Sequence, residues 1–561
     1  MNRLRRKNSF WLIIFLFFIP SCKTSKKGNE SLAVKAPRLE HQAHLSEGWY
    51  SQNKSLLNHQ INTYFELAQN NFYVEADPAA VKVLIVPHAG CFYSGLCAAT
   101  AYQTLFENRN LYSRDLRNKH INKVIVVAPS HGKFFDGISI PDYTVYKTVL
   151  GDIKVDMNAW HNLARSAVFK TIPEAHTPEH AIEIQLPFLQ KSIENFEIIP
   201  LVVGRIKDVD YEEICKKFKE IIDDKTLIVI SSDFMHHGAS YDYNMFDKNI
   251  LHQVRYVDSI AYQAIMQKSY AAFNNVIEET RTTICGQDPI KIMLALLAEG
   301  IIGKGDFRLT NYYTSAHMAK ARQQGELINI KTLLSSADDQ DTGNSVSYLG
   351  AMYTTQDLSK LKKENQLTGY EQKVLVQLAR SVIENEFKPA DQKVPEHLLW
   401  PVLSEGVCKP AGAFVTIETK DGQLRGCIGQ IASHRPLYET VMRMAKSAAF
   451  HDNRFAPLKK EELDKIAFEV TVLGAPERIS DLHEIVLGRH GIILSKFAND
   501  GSLVTSSVFL PQVPTSFGWN LAQTLEQLSL KAGLGEEGWK EGCQFQVFEG
   551  VKIKEGEQNH S

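Results

Sequence analysis

The sequence has no internal repeat of a period that would signal a solenoid, no low-complexity tract, and no apolar stretch of membrane-spanning length at its head. The unbroken apolar run from Phe10 to Ile19 is 10 residues, well short of the roughly 20 that a transmembrane helix needs. An excess of one charge is missing too: 62 Lys and Arg stand against 64 Asp and Glu, for a formal net charge of -2. That balance gives no electrostatic reason to expect a nucleic-acid partner. Paired cysteine motifs are also absent. Of the eight cysteines none forms a CxxC pair, and once Cys22 is set aside an odd seven remain, at 91, 97, 215, 285, 408, 427 and 543. An odd count cannot make a complete disulfide framework.

What is present is a chain of 561 residues, 44% hydrophobic and 22% charged, long enough for two sizeable cores and at most three domains. Its head differs from the rest. Arg3, Arg5, Arg6 and Lys7 precede the apolar run, which is the layout of an export signal. Ile19-Pro20-Ser21-Cys22 then resembles a bacterial lipobox, in which Cys22 is lipidated and becomes the mature N-terminus; the alternative is ordinary signal cleavage beside an incidental cysteine. The expectation is a signal peptide over 1–22, a tether over 23–37, and an exported lipoprotein anchored to the cell-envelope membrane. Export sits uneasily with unpaired thiols unless they are buried, metal-bound or kept anoxic.

From there the chain alternates strands with helices. Val81–Val86, Lys123–Ala128, Phe196–Val203 and Thr226–Ser231 are short, β-branched runs of the kind buried on both sheet faces. Helix-length segments lie between them, such as 95–106 and 179–193. This is an α/β domain with a central parallel or mixed sheet flanked by helices. It ends with a strand over 345–353, and a polar linker over 354–368 follows. A second, α+β unit opens with an amphipathic helix over 370–387 and continues with a hairpin turning at Asp421-Gly422, a helix over 437–450 and a strand over 466–473.

Three strands of the first domain run into metal-capable side chains: Pro87-His88-Ala89-Gly90, Pro129-Ser130-His131 and Ser232-Asp233-Phe234-Met235-His236-His237. Ligands bind at the carboxyl ends of strands in α/β sheets, so these residues can converge. A lone histidine after one strand is more often a surface residue, but the repetition favours a site. Farther along, His180 and Glu183 share a helix face, either as a metal-bound imidazole with its orienting carboxylate or as a helix cap. Thr283-Ile284-Cys285-Gly286-Gln287-Asp288 places a cysteine at a helix start, as a thiolate ligand or as a buried structural residue. Two imidazoles and one anion would leave coordination positions open on a divalent metal; a carboxylate as the anion points to iron, a thiolate to copper or unusual iron.

In their order these motifs, with Glu179-His180-Ala181-Ile182-Glu183, Ser345-Val346-Ser347-Tyr348 and the early Gly48-Trp49-Tyr50, resemble the Memo family over about residues 38–353. The resemblance implies the fold of the class III extradiol dioxygenases and a metal site of His88, His131 and Cys285, with Asp233 and His236 beside it. His236 would serve as acid or base. Asp288 and His237 stand where the family pattern has His and Trp, and His180, Glu183, His237 and Asp288 are expected around the ligands. Dioxygenases of that fold use two His and a Glu, so the cysteine counts against ordinary ring cleavage. Downstream, Leu424-Arg425-Gly426-Cys427-Ile428-Gly429, Asp452-Asn453-Arg454-Phe455 and Leu510-Pro511-Gln512-Val513 resemble the AMMECR family over 369–554. Cys427 is either a reactive thiol, with Arg425 beside it, or a structural one beneath a glycine-rich turn.

Memo-like and AMMECR-like proteins occur in bacteria with a radical SAM protein as the AmmeMemoRadiSam system, and the chain resembles its B and A components fused. The export signal speaks against a radical SAM partner here. The expected function is a metal-dependent redox or dioxygenase-like enzyme, with iron or copper, acting on a small aromatic or peptide-borne substrate. The alternatives are a metal- or peptide-binding module without turnover, and a scaffold.

Overall fold

Four β-branched runs become neighbouring strands because each can bury both faces in a sheet covered by helices. In the computed structural model, which describes residues 37–556 apart from 109, 112, 114–115, 324–343, 362–365 and 400–403, the first domain is built on one mixed sheet. The expected signal over 1–22 with Cys22, and the tether up to residue 36, lie outside the described residues. The main strand order is Arg38–Gln42, Tyr143–Thr148, Gly151–Val155, Glu197–Val203, Lys123–Pro129, Thr226–Ser231, Val81–Val86, Asn344–Thr354 and His236–Gly238. At its centre Val81–Val86, Thr226–Ser231, Lys123–Pro129 and Glu197–Val203 run parallel, so their carboxyl ends open on one edge. Asn344–Thr354 returns antiparallel to Val81–Val86 and closes that side.

The helix expected over 179–193 is broken in two, His180–Glu183 and Leu186–Ser192. Pro187 has no N–H to donate to the preceding turn, so it can only begin a helix. Among the described residues no helix is long and apolar enough to cross a membrane.

The second domain is an antiparallel sheet in the order Leu424–Gln430, Ala413–Thr419, Ile466–Leu473, Cys543–Lys554, His490–Phe497, Leu503–Phe509. The helices Gly369–Glu386 and Leu437–Phe450 fill its core, with Leu375, Leu378 and Val382 meeting Val415, Val441 and Phe468. Thr368 and Glu371 cap the first of these helices reciprocally.

That helix serves both domains. Tyr370 and Val374 belong to the first core, while Leu375, Leu378, Ala379, Val382 and Ile383 belong to the second. The Gly369 N–H donates to the Tyr73 carbonyl at 2.9 Å, and buried His252 donates through Nδ1 to the Leu398 carbonyl at 3.1 Å. Burial, and then Arg255, pull the His252 imidazole down to about 3, so it is neutral at this junction.

Candidate metal centre

His88, His131 and Asp233 follow three adjacent parallel strands, and the shared edge brings them together. Cys285 arrives from the loop before the helix Gln287–Ala298. Its approach depends on Gly286, where a Cβ would lie 2.3 Å from the Ser232 Cβ. One potential ligand atom from each of His88, His131 and Cys285 lies within 4.8 Å of the other two. His88 Nε2 and Cys285 Sγ are 3.1 Å apart. Transition metals hold nitrogen and sulfur at roughly 2.0–2.3 Å, which puts donors about 3 to 4 Å from one another, so this set fits such an ion.

The hydrogen bonds decide which ring nitrogens are free. The Ser231 hydroxyl donates to the Ala181 carbonyl at 2.6 Å, so its oxygen accepts from Gln185 Nε2 at 2.9 Å and from His88 Nδ1–H at 3.0 Å. His88 Nε2 therefore carries a lone pair toward Cys285. His131 gives its backbone N–H and its Nδ1–H to the two oxygens of Glu179, both at 2.8 Å, which leaves Nε2 as the ring nitrogen available to a ligand. A carboxylate behind a ligating histidine fixes the tautomer and raises the ligand's basicity. His236 Nδ1–H is shared between the carbonyls of Phe234 (2.9 Å) and Thr283 (3.1 Å), so Nε2 is the ring nitrogen these bonds leave over.

Electrostatics agree. Burial, then the neighbouring His131, His180 and His236, push His88 well below the usual histidine range, and burial with His131 pulls His180 down to about 4. Neutral imidazoles are the ligating form. Burial and Asp233 push the Cys285 thiol up, so in the free protein it keeps its proton for His88 Nε2 while its sulfur accepts the Asp233 N–H at 3.2 Å. Burial also raises the Asp233 carboxyl, whose Oδ1 accepts the His88 N–H at 2.7 Å.

Other expected residues stand elsewhere. Glu183 does not orient His180: its buried carboxylate accepts from the His44 and Leu45 N–H groups and from the hydroxyls of Tyr50 and Tyr146. The helix cap is Glu179, which also accepts the Ala181 N–H at 2.9 Å. His180 does join the cluster, its ring 4.4 Å from that of His131, and together with Glu179 the two form a second potential ligand group. His237 turns away, because alternate residues of a strand face opposite sides; its ring stacks on Phe246 at 5.5 Å, while the His236 ring meets Tyr241 at 5.1 Å. Asp288 has no hydrogen bond to the cluster among the described residues and sits in the field of Tyr211 and Tyr270, with its carboxyl raised by burial.

In the second domain Cys427 is half-buried on an edge strand. Its sulfur accepts from the Thr416 hydroxyl at 3.3 Å, its N–H donates to Asp452 at 2.9 Å, and Arg454 donates to its carbonyl at 3.1 Å. Arg425 instead pairs with Glu462 at 2.7 Å. No histidine ring joins this cluster through a hydrogen bond or ring contact among the described residues.

Glu179 and Trp49 are the site residues that sequence reasoning missed. The Trp49 ring lies 4.6 Å from that of His180. Each meets its histidine across a long sequence separation, and no local pattern marks either.

The family model for Memo-like proteins matches residues 42–325, and the AMMECR1 model matches 376–553. Protein MEMO1 of Danio rerio is 29% identical over 262 residues, covering 45% of this chain and 82% of that protein. Protein MEMO1 of Homo sapiens is 28% identical over 260 residues, with the same coverage of 45% and 82%. Protein NEQ441 of Nanoarchaeum equitans is 38% identical over 188 residues, covering 32% of this chain and 98% of its own. The crystal structure of the uncharacterized protein PH0010 from Pyrococcus horikoshii is 30% identical and covers 34% of this chain and 94% of its own, at a TM-score of 0.28. The chain belongs to the Memo-like family and carries an AMMECR1 domain behind its Memo-like domain.

Proposed function

We propose that the first domain is a metal-dependent redox or dioxygenase-like enzyme that holds iron or copper through His88 Nε2, His131 Nε2 and Cys285 Sγ and acts on a small aromatic or peptide-borne substrate. The observation that carries this reading is the convergence of three donors whose tautomers are set by their own partners. A bound ion would supply Lewis acidity and electron exchange at its open positions. The chain's own groups do the rest. Glu179 and Ser231 orient the two imidazoles, Cys285 would hold the ion as a thiolate, and His236 Nε2 is placed to accept a proton from substrate. Asp233 braces the His88 backbone. Tyr241 on His236 and Trp49 on His180 offer aromatic faces to a flat substrate.

The thiol in place of a third-ligand carboxylate favours copper or an atypical iron and supports, as a second reading, metal holding without ring cleavage. In either case the protein works outside the cytoplasm, on a lipid anchor at Cys22, where export argues against a radical SAM partner.

Elemental analysis of anaerobically purified mature protein, beside the His88→Ala, His131→Ala double variant, tests the proposal. The expected result is stoichiometric iron or copper in the wild type and none in the variant; equal metal in both would sink it. Oxygen uptake with catechol-like substrates then separates turnover from holding.

A further inference from the structure

Among the described residues Glu183 is a heavily bonded carboxylate, yet none of its hydrogen bonds goes to the three donors. Its partners all come from far away in sequence: the His44 N–H at 2.9 Å, the Leu45 N–H at 3.0 Å, the Tyr50 hydroxyl at 2.5 Å, the Tyr146 hydroxyl at 3.2 Å and the His44 ring at 2.8 Å. Four of these five donors belong to one segment, 43–50, which leads out of the edge strand Arg38–Gln42. That segment carries Trp49.

The segment is wedged between the two halves of the candidate site. On one side the Trp49 carbonyl accepts the Cys91 N–H at 2.8 Å. A Cβ on Gly90, two residues past His88, would stand 3.2 Å from the Gly48 carbonyl oxygen, tighter than an ordinary Cβ contact, so the two backbones approach closely there. On the other side the Trp49 ring meets His180, whose own ring meets His131. Upstream of the wedge the strand Arg38–Gln42 pairs with Tyr143–Thr148 along its backbone, but some side-chain polar atoms there are left over. His41 Nε2 on the strand, and Tyr143 Oη and His176 Nδ1 around it, are buried and make no hydrogen bond to protein. Buried polar atoms left in that condition weaken an interface, whereas at Glu183 both carboxylate oxygens are bonded to segment 43–50.

We propose that Glu183 is a positioning residue: by docking segment 43–50 it presses Trp49 onto His180 and so sets one wall beside His131. The consequence for metal or substrate rests on the reading of His131 as a ligand, but the docking does not.

The test uses mature protein labelled with fluorotryptophan, the Trp49 resonance being assigned by its loss in Trp49→Phe. In Glu183→Gln the Trp49 fluorine resonance is expected to shift or broaden. The His44 and Leu45 amides should exchange on the order of tenfold faster or more, while strands Val81–Val86 and Thr226–Ser231 stay protected. A copper-loaded sample adds a readout at the site, because a displaced Trp49 changes the surroundings of His131 and hence the Cu(II) absorption spectrum. An unmoved Trp49 resonance with unchanged exchange in 43–50 would overturn the proposal. Failure of the wild type to bind copper would count against the metal reading alone, since the fluorine and exchange results need no metal. Should Glu183→Gln not fold, the double variant His44→Ala, Tyr50→Phe removes two side-chain donors from the same carboxylate, and the same pair of outcomes decides.

Discussion

Cys285 and Cys427 invite comparison because both sit in short glycine-flanked motifs and both remain unpaired. Cys285 lies within hydrogen-bonding distance of one imidazole and among potential ligand atoms of another, with a backbone N–H on its sulfur. Cys427 faces a threonine hydroxyl, and the two charged residues nearest to it hold its backbone rather than its thiol. A motif places a thiol, but the nitrogen donors brought around it by the rest of the fold decide what it can do. Asp452 and Arg454 occupy the outward N–H and C=O of an edge strand, which is a way of blocking that edge.

The comparison breaks most sharply under parallel substitution. Cys285→Ser should abolish stoichiometric metal binding while Cys427→Ser leaves it intact, both read by elemental analysis; equal metal loss in the two would mean that the second domain helps to hold the ion. Next in size is Glu179→Gln, which keeps the volume but removes the charge behind His131. Metal affinity should fall about 10- to 100-fold, measured by competition with a chromophoric chelator, and an unchanged affinity would show that His131 needs no orienting carboxylate.

The smallest expected effect concerns the junction between the domains. Burial depresses His252 from 6.5 to about 3 in the folded protein. A depressed pKa contributes stability that is fully present above pH 6.5 and is lost as pH falls through about 3. The stability margin of wild type over His252→Gln, from denaturant melts at a series of pH values, should therefore narrow below pH 6.5. A margin independent of pH would place the imidazole in contact with water.

Much of this was legible because it depends on local order. The four apolar runs, the amphipathic helix expected over 370–387 and the strand-to-histidine pattern are statements about neighbouring residues, and all four runs became strands. What escaped depends on distance. Glu179 meets His131 across 48 residues, and Glu183 meets the 44–50 segment across 133 to 139. No local pattern distinguishes two glutamates four apart that serve a ligand in one case and a strap in the other. His236 and His237 divide by the alternation of a strand only three residues long, His236–Gly238, too short to read as a strand from its sequence.

The helix Gly369–Glu386 has a consequence for how this gene can be taken apart. Because Tyr370 and Val374 finish the first core while the rest of the same helix finishes the second, no cut in the 354–368 stretch leaves two clean products. One fragment would lose part of its interior and the other would carry those side chains as a bare apolar seam, an invitation to aggregate. Each domain's interior is finished by the same helix, so neither fold is whole without the junction.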